Sequence, residues 1–271
     1  MPELPEVETT LRGIAPHLTG QIIIGITLRT AKLRLPLAPE LREELTGQQI
    51  ITVDRRGKYL LFRTAGGTLL LHLGMTGHLR LIPSETPAVK YAHFELHLDN
   101  GTTLRLIDPR KFGTVLWLTG DPFRHPLLCG LGPEPLSPEF SPDYLYQRSR
   151  GRSVAIKIFI MNSRIVAGVG NIYANEALFR AGINPAQATG RLTMAQSERL
   201  VTAVQLVLAE AIALGGTTLH DYLDAEGKSG YFRLELKVYN RAGEPCSICA
   251  TALQSSRLGG RSTCWCPVCQ V

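Results

Sequence analysis

The sequence predicts an α+β protein built from three successive parts, and three observations predict it. Apolar residues first recur at helical spacing, then fall in short runs rich in β-branched residues and leucine up to about residue 120, and later return to helical spacing. Six of the 17 prolines lie between residues 121 and 142, which indicates a linker. Five of the 6 cysteines lie in the last 26 residues, which indicates a separate small element there.

A helix and a set of strands make up the first part, which we expect to be a domain over residues 1–130. Helical spacing predicts an amphipathic helix over residues 3–18, and Pro5 is tolerated because it lies in the first turn. The apolar stripe of this helix is formed by Val7, Leu11, Ile14 and Leu18. The predicted strands are Ile22–Arg29, Tyr59–Arg63, Thr68–Met75, His93–Asp99, Thr102–Ile107 and Thr114–Leu118.

The second part, over residues 131–232, is predicted to be helical. Its apolar stripes predict helices at Tyr144–Gln147, Val154–Met161, Ile172–Ala181 and Thr193–Leu214. Thr193 and Gln196 have the spacing of a capping box, and Asn171 stands where an N-cap is expected. The polar residues 217–232 after the last helix predict a mobile loop.

The third part, over residues 233–271, has the spacing of a zinc site. The pattern Cys246-x2-Cys249-x16-Cys266-x2-Cys269 places two thiolates on each of two turns, which suits a tetrahedral Zn²⁺. Four protein ligands leave no open position, so we expect one structural zinc whose binding supplies the folding energy that so short a segment lacks. Cys264 is either a spare buried thiol or a competitor of Cys266.

Composition argues against several classes of protein. A hydrophobic content of 44%, a charged content of 19% and the absence of any long apolar run argue against a disordered chain and a membrane protein. The N-terminus lacks the basic and apolar regions of a signal peptide, so we expect a cytoplasmic protein. The net charge of +6 and the pI of about 9.1 favour a polyanionic partner.

The N-terminus suggests covalent chemistry. Removal of Met1 would expose Pro2 as a secondary amine, and an α-amine with a pKa of about 7.7–8.0 is roughly one-tenth deprotonated at neutral pH. Glu3 and Glu6 lie three residues apart beside that amine, as a pair of proton-transferring carboxylates would. Proline and glutamate also favour helix N-termini for purely structural reasons.

Two turns present apolar side chains that could contact a nucleic acid. The turn Asp108–Gly113 carries Phe112 between cations, either as a wedge between bases or folded back onto a sheet. Met75 follows the predicted strand that contains His72 and is either a second flexible tip or a core residue.

A glycine pair precedes the predicted helix at Ile172. In Gly168-Val169-Gly170-Asn171, the backbone N–H groups could hold a phosphate, or the glycines could form a tight turn between helices. Arg150, Arg152 and Lys157 on the preceding segment favour the phosphate interpretation.

These motifs together resemble the formamidopyrimidine-DNA glycosylase family, bacterial base-excision enzymes, over essentially the whole chain. The resemblance rests on Met1-Pro2-Glu3-Leu4-Pro5-Glu6-Val7-Glu8-Thr9, His72-Leu73-Gly74-Met75-Thr76-Gly77, Asp108-Pro109-Arg110-Lys111-Phe112-Gly113, Gly168-Val169-Gly170-Asn171-Ile172-Tyr173-Ala174, and the finger from Cys246 to Gln270 with Arg261. It implies a β-sandwich with the N-terminal helix, then a helix–two-turn–helix domain with a zinc finger, and DNA in the cleft between them.

The resemblance implies catalytic roles for five residues. Pro2 would attack C1′ of an oxidised purine nucleotide, and Glu3 would be the acid that helps to open the sugar, with assistance from Glu6. Lys58 would serve the first elimination and Arg261 the second, so that the enzyme excises the base and nicks both sides of the abasic site. Without the resemblance, Lys58 and Arg261 are more typical of solvated surface cations.

DNA contacts are implied at further positions. Met75, Arg110 and Phe112 would fill the gap left by the flipped base, with Arg110 reading the opposite cytosine. Asn171, Lys157 and Arg261 would hold phosphates, and the loop Thr217–Tyr231 would close over the extruded base. The remaining expected DNA contacts are Tyr91, His93 and Arg152. Tyr91 stands where the family often has histidine, and Cys264 stands where an aromatic residue is more common.

Two other functions remain open at this stage. An endonuclease VIII-like enzyme would share the fold and prefer oxidised pyrimidines, but Leu4 and Val7 favour the purine branch. A non-catalytic zinc-ribbon DNA-binding protein would lack Pro2 or Glu3, and both are present. We expect a monomer that acts on duplex DNA with oxidised bases or abasic sites, in the bacterial cytoplasm at the nucleoid.

Overall fold

The computed structural model describes residues 2–215 and 236–271. Residues 2–129 form one compact unit, and residues 130–214 together with 236–271 form another. No helix in the described ranges is long and apolar enough to cross a bilayer. The loop predicted over residues 217–232 lies outside the described residues.

The first unit is a β-sandwich preceded by a helix, as expected. Its elements are α1 (Leu4–Leu18), β1 (Ile23–Leu28), α2 (Leu41–Leu45), β2 (Thr52–Arg56), β3 (Tyr59–Arg63), β4 (Thr68–His72), β5 (His78–Pro83), β6 (Ala92–Leu98), β7 (Thr102–Ile107) and β8 (Thr114–Leu118). The strands form two antiparallel four-stranded sheets, in the orders β1-β6-β7-β5 and β2-β3-β4-β8. One hydrophobic cluster combines buried side chains of both sheets and both helices, so the two sheets share a core.

Three short elements of this unit were not predicted. Strand β2 is hidden by its polar sequence, because Asp54, Arg55 and Arg56 follow one another where alternation would be expected. Strand β5 and helix α2 were also missed. Strand β4 ends at His72 rather than at Met75, because Gly77 N donates to Leu73 O at 2.9 Å and closes a turn.

The described part of the second unit combines helices with a two-stranded finger. Its elements are α3 (Pro142–Ser149), α4 (Ile156–Ile160), α5 (Asn171–Ala181), α6 (Met194–Ala213), β9 (Gln254–Leu258) and β10 (Arg261–Trp265). The four helices share one core cluster, to which Phe140 from the proline-rich segment contributes. A separate small cluster joins the finger to α5 through Phe179.

The two predicted helix caps have different outcomes. The capping box of α6 is confirmed, because Gln196 N donates to Thr193 Oγ1 and Thr193 N donates to Gln196 Oε1, both at 3.1 Å. The cap expected of Asn171 is wrong, since α5 begins at Asn171 and Gly170 is its extended N-cap residue. The Asn171 side chain instead donates to Ser262 Oγ at 3.3 Å.

We predict that Thr193→Ala lowers the free energy of unfolding by about 1 kcal/mol, because an N–H group at the start of α6 loses its acceptor. Urea titration followed by helical circular dichroism measures the change. Thr202→Ala, an exposed position within the same helix, should leave stability unchanged or slightly raised, since alanine is the better helix former. Equal effects of both variants would contradict the capping role.

Candidate functional site

The first turn of α1 is held by two carboxylates that bond to each other's backbone. Glu3 N donates to Glu6 Oε2 at 2.8 Å, and the Glu3 carboxylate accepts the backbone N–H of Glu6. Glu3 is only 1% exposed, whereas Pro2 and Glu6 are partly exposed. The structure therefore places a buried acid directly beside the residue whose amine was predicted to be nucleophilic.

Lys58 lies in a turn that is tied to the same helix. The turn joins β2 to β3, and Gly57 adopts a φ of 57° in it. Arg55 Nε donates to Glu8 Oε2 on α1 at 2.8 Å, and Arg55 Nη1 donates to Gly57 O at 2.8 Å. Burial opposes ionisation of Glu8, but its bonds to Arg55 and Arg12 lower its pKa overall. The segment is thus a fixed turn rather than a loose basic surface.

His72, the last residue of β4, is a further candidate for the site. Its Nδ1 accepts Gly74 N–H at 2.9 Å, so a neutral ring carries its proton on Nε2. Burial, together with the positive charges of Lys58 and Arg34, lowers the pKa of His72 to about 4. His72 is therefore a neutral donor near Lys58. Its position in the chain, directly before a glycine turn, was the available signal.

The turns that carry Met75 and Phe112 touch each other. A Cβ on Gly74, whose φ is 67°, would lie 2.4 Å from the carbonyl carbon of Phe112. Phe112 is 41% exposed and its ring stacks against the Arg110 guanidinium at 4.7 Å, so it is not folded back onto a sheet. The turn connects β7 to β8, which belong to different sheets, so it is not the tip of a hairpin.

Tyr91 and His93 lie beside this turn. Tyr91 is 40% exposed with a φ of 68°, and the Lys90 ammonium lies 4.8 Å from its ring centre. His93 is 8% exposed, and one ring nitrogen bonds to the backbone of Asp108. Its Nε2 has no hydrogen-bond partner among the described residues. Burial and the charge of Lys111 lower the pKa of His93.

Lys157 is buried, although the resemblance implied that it would hold a phosphate. Its side chain is fully buried, and Nζ donates to Ser262 O at 2.7 Å and to Thr263 Oγ1 at 2.8 Å. The ammonium therefore holds the strand that begins at Arg261. Asn171 also bonds to Ser262, so the structure brings Lys157 and Asn171 together at the start of β10.

The two predicted arginines of this unit remain at the surface. Arg261, the first residue of β10, is exposed and follows two glycines with positive φ, Gly259 and Gly260. Arg152 is also exposed, in the segment before α4, where its carbonyl accepts Gly190 N–H. Both side chains are accessible to a polyanion.

The four cysteines of the spaced pattern form one sulfur cluster. Their Sγ atoms all lie within 4.8 Å of one another, with Cys246–Cys269 at 3.9 Å and Cys249–Cys266 at 3.5 Å. Zn–S bonds of about 2.3 Å in a tetrahedron require S–S edges of about 3.8 Å. Two backbone N–H groups also point at sulfur, from Ile248 and Cys269. The cluster fits one structural zinc.

Cys264 is not part of this cluster. It is 6% exposed, and burial raises the pKa of its thiol. Within the cluster, hydrogen bonds to Thr251 lower the pKa of Cys249 to about 6, whereas interactions with the neighbouring thiols, first with Cys249, raise the pKa of Cys269 to about 12. The structure supports the interpretation of Cys264 as a spare buried thiol.

Sequence reasoning missed the buried polar groups that fix the finger. The Glu176 carboxylate accepts three backbone N–H groups, from Lys237, Val238 and Tyr239. Asn175 Oδ1 accepts Cys264 N–H at 2.9 Å, and Gln270 links Cys266 N to Ile183 O. For Asn175 and Glu176, the available signal was that they form an adjacent polar pair within the predicted helix Ile172–Ala181.

Three family models match this chain in order. They describe the formamidopyrimidine-DNA glycosylase N-terminal domain at residues 1–115, the formamidopyrimidine-DNA glycosylase H2TH domain at residues 131–222, and a zinc finger found in FPG and IleRS at residues 243–271. Together they span most of the chain and follow the order of the three predicted parts.

Relatives and solved structures agree with these matches. A formamidopyrimidine-DNA glycosylase of Geobacter sulfurreducens is 58% identical and one of Pseudomonas savastanoi pv. phaseolicola is 51% identical, each with 100% of both chains covered. The complex of Lactococcus lactis Fpg with abasic-site DNA has a TM-score of 0.90 at 35% identity, with 99% of each chain covered. The Fpg protein of Thermus thermophilus has a TM-score of 0.86 at 39% identity, with 99% of this chain and 98% of that chain covered.

We predict that Cys249→Ser loses bound zinc, whereas Cys264→Ser keeps it. Removal of one of four thiolate ligands opens the tetrahedral site, while Cys264 lies outside the cluster. Zinc per protein, measured by atomic emission after dialysis against a mild chelator, distinguishes the two variants. Loss of zinc from Cys264→Ser alone would assign the fourth ligand to that residue instead.

Proposed function

We propose that this chain, which belongs to the formamidopyrimidine-DNA glycosylase family, excises oxidised purines from duplex DNA through a Schiff base on Pro2 and then cleaves the abasic site. The chain is a DNA glycosylase and abasic-site lyase, and its partner is damaged duplex DNA. Because its relatives are bacterial, we also place the enzyme at the DNA of a bacterial cell.

The observation that supports the covalent step is the local geometry at the start of α1. Glu3 is buried and bonded within the first turn, next to the partly exposed Pro2. A terminal amine is a far better nucleophile at neutral pH than a lysine, because its pKa is about 7.7–8.0 rather than about 10.4. Once Met1 is removed, this geometry places the Pro2 amine next to the Glu3 carboxyl group.

The reaction then follows from the chemistry of a secondary amine. The Pro2 nitrogen attacks C1′ and loses its proton, and the base leaves with the bonding electron pair and takes up a proton. A proton from Glu3 to the ring oxygen then opens the sugar to give an iminium ion between Pro2 and C1′. Loss of a C2′ proton expels the 3′ phosphate, and a second elimination expels the 5′ phosphate. We assign the first elimination to Lys58, in the turn clamped by Arg55, and the second to the exposed Arg261.

Glu6 acts in this scheme through the backbone. Its carboxylate accepts Glu3 N–H at 2.8 Å, and that N–H belongs to the peptide group that joins Pro2 to Glu3. The contact fixes the plane of this peptide group and hence the position of the Pro2 Cα, which carries the amine nitrogen. Glu6 is therefore a positioning residue, and Glu3 is left as the proton donor.

We propose that the two turns of the first unit that carry Met75 and Phe112 fill the gap left by the flipped base. Phe112 is exposed and stacked on Arg110, and the turn with Met75 touches the same backbone. An apolar wedge next to a guanidinium suits insertion into a base stack with recognition of the opposite base. The exposed Tyr91 extends this surface, and the buried His93 adjoins it.

The second unit supplies phosphate contacts. Asn171 and the exposed Arg261 lie on neighbouring segments at the start of α5 and of β10, and Arg152 adds an exposed cation. Lys157 contributes indirectly, because its buried ammonium holds the carbonyl of Ser262 next to Arg261. This assignment replaces the direct phosphate contact expected of Lys157.

We predict that Glu3→Gln slows excision of 8-oxoguanine opposite cytosine by about 10²–10⁴-fold, the usual contribution of a general acid. Cleavage of a ready-made abasic site should fall much less, since its aldehyde form is already open to amine attack. Single-turnover assays on the two substrates measure the difference. Glu40→Gln, an exposed glutamate before α2, is the matched control and should leave both rates unchanged.

Pro2→Gly supplies a second test of the same mechanism. Glycine keeps a terminal amine but a primary one, so excision should slow while binding to DNA that contains a tetrahydrofuran abasic analogue persists. A wild-type rate in Pro2→Gly, or equal losses of both activities in Glu3→Gln, would contradict the roles proposed for these residues. Excision of oxidised pyrimidines in preference to purines would favour the endonuclease VIII-like alternative.

A further inference from the structure

Asp108 is a fully buried carboxylate that the mechanism does not use. It lies in the turn after β7, at 0% exposure, between Ile107 and Pro109. A buried carboxylate requires hydrogen-bond donors or a paired cation, because burial removes its hydration. The donors to its side chain come from segments that carry residues of the proposed DNA surface.

The carboxylate joins two of these segments. Thr76 Oγ1, next to Met75, donates to Asp108 Oδ1 at 2.9 Å. Gly113 N, next to Phe112, donates to Oδ2 at 2.7 Å, and Arg110 N donates to Oδ1 at 3.3 Å. One side chain thus fixes both the turn with Met75 and the turn with Arg110 and Phe112.

The backbone of Asp108 adds the third segment. Asp108 N donates to Tyr91 O at 3.0 Å, and Lys111 N donates to Asp108 O at 3.2 Å. Tyr91 and Lys111 both have positive φ, 68° and 55°, a conformation that non-glycine residues keep only where their surroundings hold it. The backbone of Asp108 also bonds the His93 ring.

We propose that Asp108 is a positioning residue that sets the arrangement of Met75, Arg110 and Phe112 in the space opposite the flipped nucleotide, and so determines discrimination of the opposite base. The inference rests on the proposed function. Arg110 can hydrogen-bond to a base only if its guanidinium N–H groups are held in the right position. A shift of one turn relative to the other would misplace both Arg110 and the apolar side chains. The link between the turns is the bond from Thr76 to Asp108.

Asp108→Asn tests this role with little change in size. The amide nitrogen must face either a backbone N–H or the Thr76 hydroxyl, so at least one donor loses its acceptor. We expect the preference for 8-oxoguanine opposite cytosine over adenine to fall about tenfold or more. Abasic-site cleavage should also fall more in duplex than in single-stranded DNA, because only a duplex has an opposite base.

Thr76→Val provides a variant that keeps the carboxylate and removes only the link between the turns. We expect the same change of preference at a smaller size, about fivefold. Asp99→Asn is the matched control, because Asp99 Oδ1 likewise accepts a backbone N–H, that of Ile22 at 2.9 Å, at an exposed site. It should keep wild-type ratios.

The outcomes separate this inference from the proposed function. Loss of opposite-base preference in Asp108→Asn and Thr76→Val, with the Asp99→Asn ratios unchanged, supports the inference. Wild-type ratios in Thr76→Val, together with wild-type or uniformly lowered rates in Asp108→Asn, overturn it. If Asp108→Asn does not fold, Thr76→Val decides alone. Failure of the wild-type protein to excise 8-oxoguanine overturns the proposed function itself.

Discussion

The reciprocal hydrogen bonds between Glu3 and Glu6 are the constraint on which the proposed chemistry depends. They start α1 at Leu4, which is fully buried, and so fix the position of Pro2 relative to the sandwich core. A helix that frayed by one turn at this end would release both the amine and the acid. The ion pair between Arg55 and Glu8 links α1 to the turn that contains Lys58, so this turn is also fixed relative to the helix.

Elsewhere in the chain, buried polar side chains hold the segments that carry proposed functional residues. Some of the residues proposed to meet DNA, such as Arg110 and Phe112, are exposed and lie on turns, where few apolar contacts can hold them. Asp108 holds the turns of the first unit, while Lys157 and Glu176 hold the finger against the helices. Each such group is costly to leave unpaired, by about 1–3 kcal/mol, so each one favours a single loop arrangement. Zinc adds the stability that the small finger core lacks.

Most of the architecture is predictable from local sequence, and the elements that could not be predicted share one physical cause. The capping box at Thr193 and the apolar stripe of α1 depend only on near neighbours in the chain, and the four cysteines are recognised by a spacing typical of zinc sites. All three predictions are confirmed. Strand β2 could not be seen because its partner strand, not its own alternation, determines it.

In the candidate site too, some features follow from local sequence and others depend on distant residues. The zinc ligands follow from residue type and spacing, and the roles proposed for Pro2 and Glu3 come from the family resemblance, but the burial of a charged residue follows from neither. Lys157 looks like a surface cation in sequence, and only the distant Ser262 and Thr263 make it a buried anchor. Asp108 was quoted as part of a turn, yet its role depends on Thr76, which is 32 residues away.

The most direct test of the central claim is to locate the covalent intermediate. Borohydride reduction during reaction with duplex DNA containing 8-oxoguanine opposite cytosine, followed by peptide mass spectrometry, identifies the attacking nitrogen. We predict one adduct, on an N-terminal peptide that begins at Pro2 and lacks Met1. An adduct on Lys58 or another lysine, or no adduct from a protein that lacks Met1 and binds this DNA, would contradict the assignment of Pro2 as the nucleophile.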